Sequence, residues 1–174
     1  MPKPQRLADF DHYLKILKAA GHDLNQDLYP AADKKNTPFI SEILSLDNGC
    51  VLPETFGVYF KETPVRSAVE SFGSAYFDDD DDAVIRERTD SLAVLKIILE
   101  AEKGKGKDYS DELVDFYENV DNDWESMSAK QKPYCIEMLK LFKQYGASWL
   151  VKQKDMKDHN VPDDVIKEVL KEKR

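Results

Sequence analysis

The residues with the clearest chemical potential are five consecutive aspartates, Asp78, Asp79, Asp80, Asp81 and Asp82. They open a stretch, 78–125, that holds 17 Asp/Glu against 6 Lys/Arg. Residues 1–77 carry a net −2 and residues 126–174 a net +4, so this middle segment outweighs the whole chain's −9. Like charges at that density repel one another and attract a cationic partner. Three chemistries are open to the run. One aspartate can cap a following helix while the others are solvated near its positive end. The run, with Glu87, Asp90, Asp111, Glu112, Asp115 and Glu118, can present carboxylates to lysines and arginines of a partner. Or oxygen ligands can hold Ca²⁺ or Mg²⁺. The last is disfavoured because contiguous aspartates fan around a helix or alternate along a strand and do not converge on one ion. A second acidic loop, Asp121-Asn122-Asp123, fails as a calcium loop: Ser126 stands where glycine is needed and Lys132 where a bidentate glutamate is needed.

Other reactive groups lack a framework. His12, His22 and His159 have no metal-ligand spacing and no nucleophile motif beside them. Gly104-Lys105-Gly106-Lys107 lacks the Ser/Thr and the preceding strand of a phosphate loop and reads as a linker. Cys50 and Cys135 each lie among apolar residues, as expected of two reduced core thiols. Spacing alone cannot select a catalytic pair from 34 carboxylates.

The elements that must position these groups follow from apolar periodicity. Leu7, Phe10, Leu14 and Leu17 form one face of a helix over 5–20 that Gly21 can end in a left-handed cap. Thr37-Pro38 and Thr63-Pro64 each signal a helix start, with threonine as cap and proline in the first position. Phe39, Ile40, Ile43 and Leu44 supply the first face, and Val65, Ala68, Val69, Phe72 and Tyr76 the second. Between them Phe56, Val58 and Phe60 alternate with polar or small residues, the period of a short strand near 56–60. The longest helix, about 80–103, carries Val84, Ile85, Leu92, Leu95, Ile98 and Leu99, with Arg88 and Thr89-Asp90-Ser91 weakening its middle. Asp82 is the first suspect for its cap.

Ser110 is read as the cap of the next helix, on which Leu113, Phe116, Tyr117 and Val120 face inward. Ser128 and Gln131 have capping-box spacing. Pro133 moves that start to near Lys132, because inside a helix it would lose a backbone bond. Cys135, Met138, Leu139 and Phe142 follow. Trp149, Leu150, Gln153 and Met156 suggest a short helix, and Pro162-Asp163-Asp164 opens the last, bearing Val165, Ile166, Val169 and Leu170.

The expected fold is therefore all-α: six to eight helices in an irregular bundle, one acidic domain over 1–174, with an internal break at 104–107 and one short strand pair as its only β structure. No membrane span and no signal-peptide core are visible, and the reading is cytoplasmic with no cofactor and no metal. A pI near 4.9 disfavours nucleic acid or anionic membrane as a direct ligand. The leading expectation is a non-enzymatic interaction protein whose acidic surface binds a basic protein surface, with nucleic-acid mimicry or inhibition as a special case. The runner-up is an adaptor using an aromatic groove in which Phe60, Tyr76 and Phe77 take part. A small enzyme using a buried carboxylate pair is the third. The basic C-terminal third also suggests docking on the acidic middle, within one chain or between two.

Overall fold

Every described segment with regular structure is a helix. The computed structural model describes residues 12, 15–21, 31–32, 34–46, 63–73, 77, 79–104, 108–145 and 150–171, apart from the side chains of 42, 45 and 46. After a helical stretch at 15–19, seven helices follow: α1 Thr37–Leu46, α2 Pro64–Gly73, α3 Asp82–Glu102, α4 Ser110–Val120, α5 Lys132–Tyr145, α6 Gln153–Asp158 and α7 Asp163–Leu170. The all-α expectation holds. The strand reading at 56–60 lies outside the described residues, as do Cys50, Phe60 and Tyr76.

The long helix α3 is the hub. It packs against α1, α2 and α5, while α2 also meets α4, and α7 lies on α5 and α6. Val94, Leu95, Ile98 and Leu99 of α3 are sealed against Ile40 and Ile43 of α1, Val65, Val69 and Phe72 of α2, and Met138, Leu139 and Phe142 of α5 in one continuous core. Burying each such side chain contributes roughly 1.5–3 kcal/mol. Cys135 is reduced and fully buried, and burial pushes its thiol up to about 12. No described helix is long and apolar enough to cross a membrane.

Several helix starts sit one residue from where the sequence puts them. Asn36, not Thr37, caps α1, its Oδ1 accepting from Phe39 N at 3.3 Å. Ser110 is the first residue of α4 rather than its cap; Asp108 Oδ1 takes both its N–H, at 3.0 Å, and its hydroxyl. Thr63 does cap α2, accepting from Arg66 N at 3.0 Å with Pro64 in the first turn. Helix α5 begins at Lys132, as Pro133 requires. Gly21, at φ +83°, closes the 15–19 stretch, with its N–H donating to Lys18 O.

The middle of α3 is not weak. Thr89 returns its hydroxyl to Ile85 O at 2.9 Å, and Arg88 and Ser91 are fully buried. The Arg88 guanidinium lies over the rings of Phe77 (4.0 Å) and Phe72 (4.8 Å) and donates to Phe72 O. Phe77 is therefore interior and does not line an outer contact patch. Losing water lowers the Arg88 pKa. The stem and the flat guanidinium fill the space that a large hydrophobic side chain would otherwise take.

The C-terminal lysines pair mainly with C-terminal acids. Lys132 bonds Asp164 (2.9 Å), Lys140 bonds Glu168 (2.8 Å) and Lys157 lies 3.4 Å from Asp163. Within one chain, the expected docking of the basic end on the acidic middle reduces to Lys130 and Asp80, 3.8 Å apart, among the described ion pairs. The last helices are seated instead by a His159–Tyr117 ring stack at 4.4 Å and by Asn160 donating to Asp121 at 2.8 Å.

Candidate interaction surface

The aspartate run is built into the fold more tightly than its charge suggests. Asp78 lies outside the described residues. Asp79 Oδ1 accepts from Asp81 N at 2.9 Å, a local turn that aims the chain into α3. Asp81, not Asp82, is the cap: its Oδ1 accepts from Ala83 N at 2.7 Å. Asp82 is the first helical residue, where its charge faces the positive end of the helix. Five identical letters leave the boundary ambiguous by one residue, and only backbone geometry resolves it.

Asp80 turns toward the loop before α5. It accepts from the Ser128 hydroxyl and lies near Lys130. Ser128 N donates to Phe77 O at 3.0 Å, and the buried Gln131 side chain donates to Asp79 O. The capping box is thus half formed. Ser128 Oγ accepts from Gln131 N at 3.2 Å, but the Gln131 amide reaches across to the aspartate segment. Glu87 is also engaged, with Lys35 at 2.7 Å. Asp90 is half-buried on α3.

A second acidic group gathers on α2 and α4. Asp111, Asp115 and Glu118 recur at four and three residues along α4, which aligns them on one face. Arg66 of α2 bridges to Asp115. Its Nε bonds Glu70 at 3.0 Å, and its Nη2 lies 3.0 Å from Asp115 Oδ2, close enough for an ion pair but off the hydrogen-bond direction. Burial raises the Asp115 pKa, Arg66 opposes that, and the charges of Glu118, Glu70 and Asp111 raise it further. Asp111 and Glu118 are exposed.

Glu112 does not belong to this surface. It is 7% exposed, and its Oε1 accepts from the Thr63 hydroxyl at 2.8 Å. Burial raises its pKa, partly offset by the Thr63 bond. Its spacing to Phe116 and Val120 places it on the inner face of α4, a signal that was present in the sequence but overridden by residue type. Tyr109, the residue that opens α4, is buried as well, and burial raises its pKa, with the charges of Glu102 and Glu112 adding to the effect.

No family model, no curated protein and no solved structure matches this chain. Among the described residues, no group of three or more His, Cys, Asp or Glu is arranged to hold a metal ion. The pairing of Glu70 and Asp115 with a single guanidinium, beside Asp111 and Glu118 on the same face of α4, can therefore be read only from its own chemistry. Among the described residues it is an anionic face on which one guanidinium pairs with two of the carboxylates. Exposed pairs of this kind add about 0–1 kcal/mol each to stability.

Proposed function

We propose that the chain is a non-enzymatic interaction protein that captures a basic protein surface on the α2–α4 face, with the aspartate segment 79–82 extending its negative field. The observation that carries this reading is the pairing of Arg66 with Glu70 and Asp115 beside the exposed Asp111 and Glu118 on the same face of α4, with Asp115 raised in pKa first by burial and further by the charges of Glu118, Glu70 and Asp111. The aspartates at 79, 80 and 81 contribute field rather than contact, because each already holds an internal donor. Mimicry of a nucleic acid is the special case in which the partner's basic surface is a nucleic-acid site.

Affinity capture from native lysate at low and high salt, with wild type and a Glu70→Gln/Glu118→Gln variant side by side, tests it. Basic proteins retained at low salt, released at high salt and lost with the variant support the reading. Equal capture by both chains sinks it. The adaptor reading loses Phe77, which is interior and lies against Arg88, while its Phe60 and Tyr76 lie outside the described residues. The enzyme reading keeps one observation, the buried Glu102 and Glu112 acting on the buried Tyr109.

A further inference from the structure

Helices α5 and α7 leave a groove of about 610 Å³ between them, floored by Leu141 and Val169 and edged by Lys140, Lys143, Lys171 and Glu168. Its cations are under-neutralised. Lys140 and Lys171 share one carboxylate, Glu168, at 2.8 and 3.4 Å, and Lys143 donates to a neutral acceptor, Val169 O, at 3.1 Å. With Glu137 also on the wall, three ammonium groups face two carboxylates among the described residues. The groove belongs to the segment, 126–174, that is net positive in an otherwise negative chain. On the α2–α4 face the imbalance is reversed among the described residues: Arg66 pairs with Glu70 and Asp115, and Asp111 and Glu118 add two further carboxylates on the same face of α4.

We propose that this groove takes the α2–α4 acidic face of a second copy of the chain, so that copies associate head to tail. The two surfaces differ in charge and in shape, so the contact is heterologous, and a bound pair still offers one free face and one free groove. Association is weak and ionic. It grows with concentration at low salt and collapses when salt shortens the Debye length from about 10 Å at 0.1 M to about 3 Å at 1 M. The inference rests on the reading of the α2–α4 face as a receptor for basic surfaces, and names one such surface.

Two exposed charges allow a complementation test. Glu118→Lys spoils the face and spares the groove; Lys171→Glu spoils the groove and spares the face. Sedimentation equilibrium at low salt and high protein concentration should give wild type a mass above the 20.0 kDa of one chain, returning to that value in 1 M salt. Each variant alone should stay monomeric, with an unchanged circular dichroism spectrum. Mixed in equal amounts, they should form a dimer and stop there, since the surfaces left over in that pair are the two spoiled ones. Wild type that stays monomeric, variants that associate like wild type, or a mixture that stays monomeric overturns the proposal. A monomeric chain that still binds a lysine-rich peptide overturns it while leaving the proposed function standing.

Discussion

The aspartate run makes a sharp prediction because its members do different work at adjacent positions. Asp81 accepts from Ala83 N at 2.7 Å and so satisfies one of the otherwise orphan donors at the start of α3. Replacing an N-cap acceptor by alanine costs about 1 kcal/mol, within a range of roughly 0.5–2. The first buried residue of α3, Arg88, lies about two turns beyond the cap, so fraying at the start works against the contact of Arg88 with Phe77. For a chain of this size 1 kcal/mol lowers Tm by about 2–4 °C. Asp81→Asn keeps an acceptor oxygen and loses only the charge facing the helix dipole, worth about 0.3–1 kcal/mol and screened by salt. Asp82→Asn loses a similar first-turn charge but relieves repulsion from its neighbours, so its net effect is near zero. Thermal unfolding at low and high salt should rank Asp81→Ala well below wild type in both, with Asp81→Asn and Asp82→Asn converging on wild type at high salt. A silent Asp81→Ala, or an Asp82→Asn as damaging as Asp81→Ala, would refute the assignment of the cap.

Four further outcomes are expected. Because burial raises the Glu112 pKa, the folded chain holds that proton more tightly than the unfolded chain does. Stability from this group falls as pH rises from the ordinary value of 4.5 through the raised folded value, and is flat above it. Glu112→Gln should flatten that fall in urea titrations between pH 4 and 7, and an unaltered slope would contradict it. Arg88→Ala should destabilise by roughly 2–5 kcal/mol through the void it leaves beside Phe72 and Phe77, whereas Arg88→Met should recover a large part in chemical denaturation. Cys135 should resist thiol reagents in the native state and react on unfolding, as read by mass mapping, because burial pushes its thiol up to about 12. Gly104→Ala should cost about 1 kcal/mol by thermal unfolding, since the residue sits at φ +82° with open space around it, leaving backbone strain as the whole effect.

The helices were legible where apolar spacing and punctuation agreed. Leu95, Ile98 and Leu99, the Thr63-Pro64 start, the start at Lys132 forced by Pro133, and the turn at Gly21 all follow from local rules. What the sequence hid was polar residues placed inside. Val84, Arg88, Ser91, Leu95, Ile98 and Glu102 recur at four and three residues, an unbroken inward stripe on α3, and Arg88, Ser91 and Glu102 are all buried. Spacing marked these three as interior; residue type argued the reverse and prevailed. Glu112 was misplaced in the same way. The partners that make such burial affordable, the rings of Phe72 and Phe77 for Arg88 and the hydroxyl of Thr63 for Glu112, arrive from other helices, at sequence separations no local pattern can see. The ranking of Asp81 over Asp82 was hidden for a simpler reason: identical neighbours carry no register.

Thr63 narrows the alphabet of its own position. An ordinary helix cap accepts serine, threonine, aspartate or asparagine almost interchangeably. Here the hydroxyl accepts from Arg66 N and at the same time donates to Glu112, spending its proton in one direction and a lone pair in the other. Aspartate would keep the first bond, but it has no proton to give and would set a second carboxylate against a buried one. Serine alone among the usual substitutes keeps both bonds through the same single atom. In any related chain whose α4 retains glutamate at this place, position 63 should therefore read as threonine or serine. Where the glutamate is replaced by an apolar residue, the full set of capping residues should return.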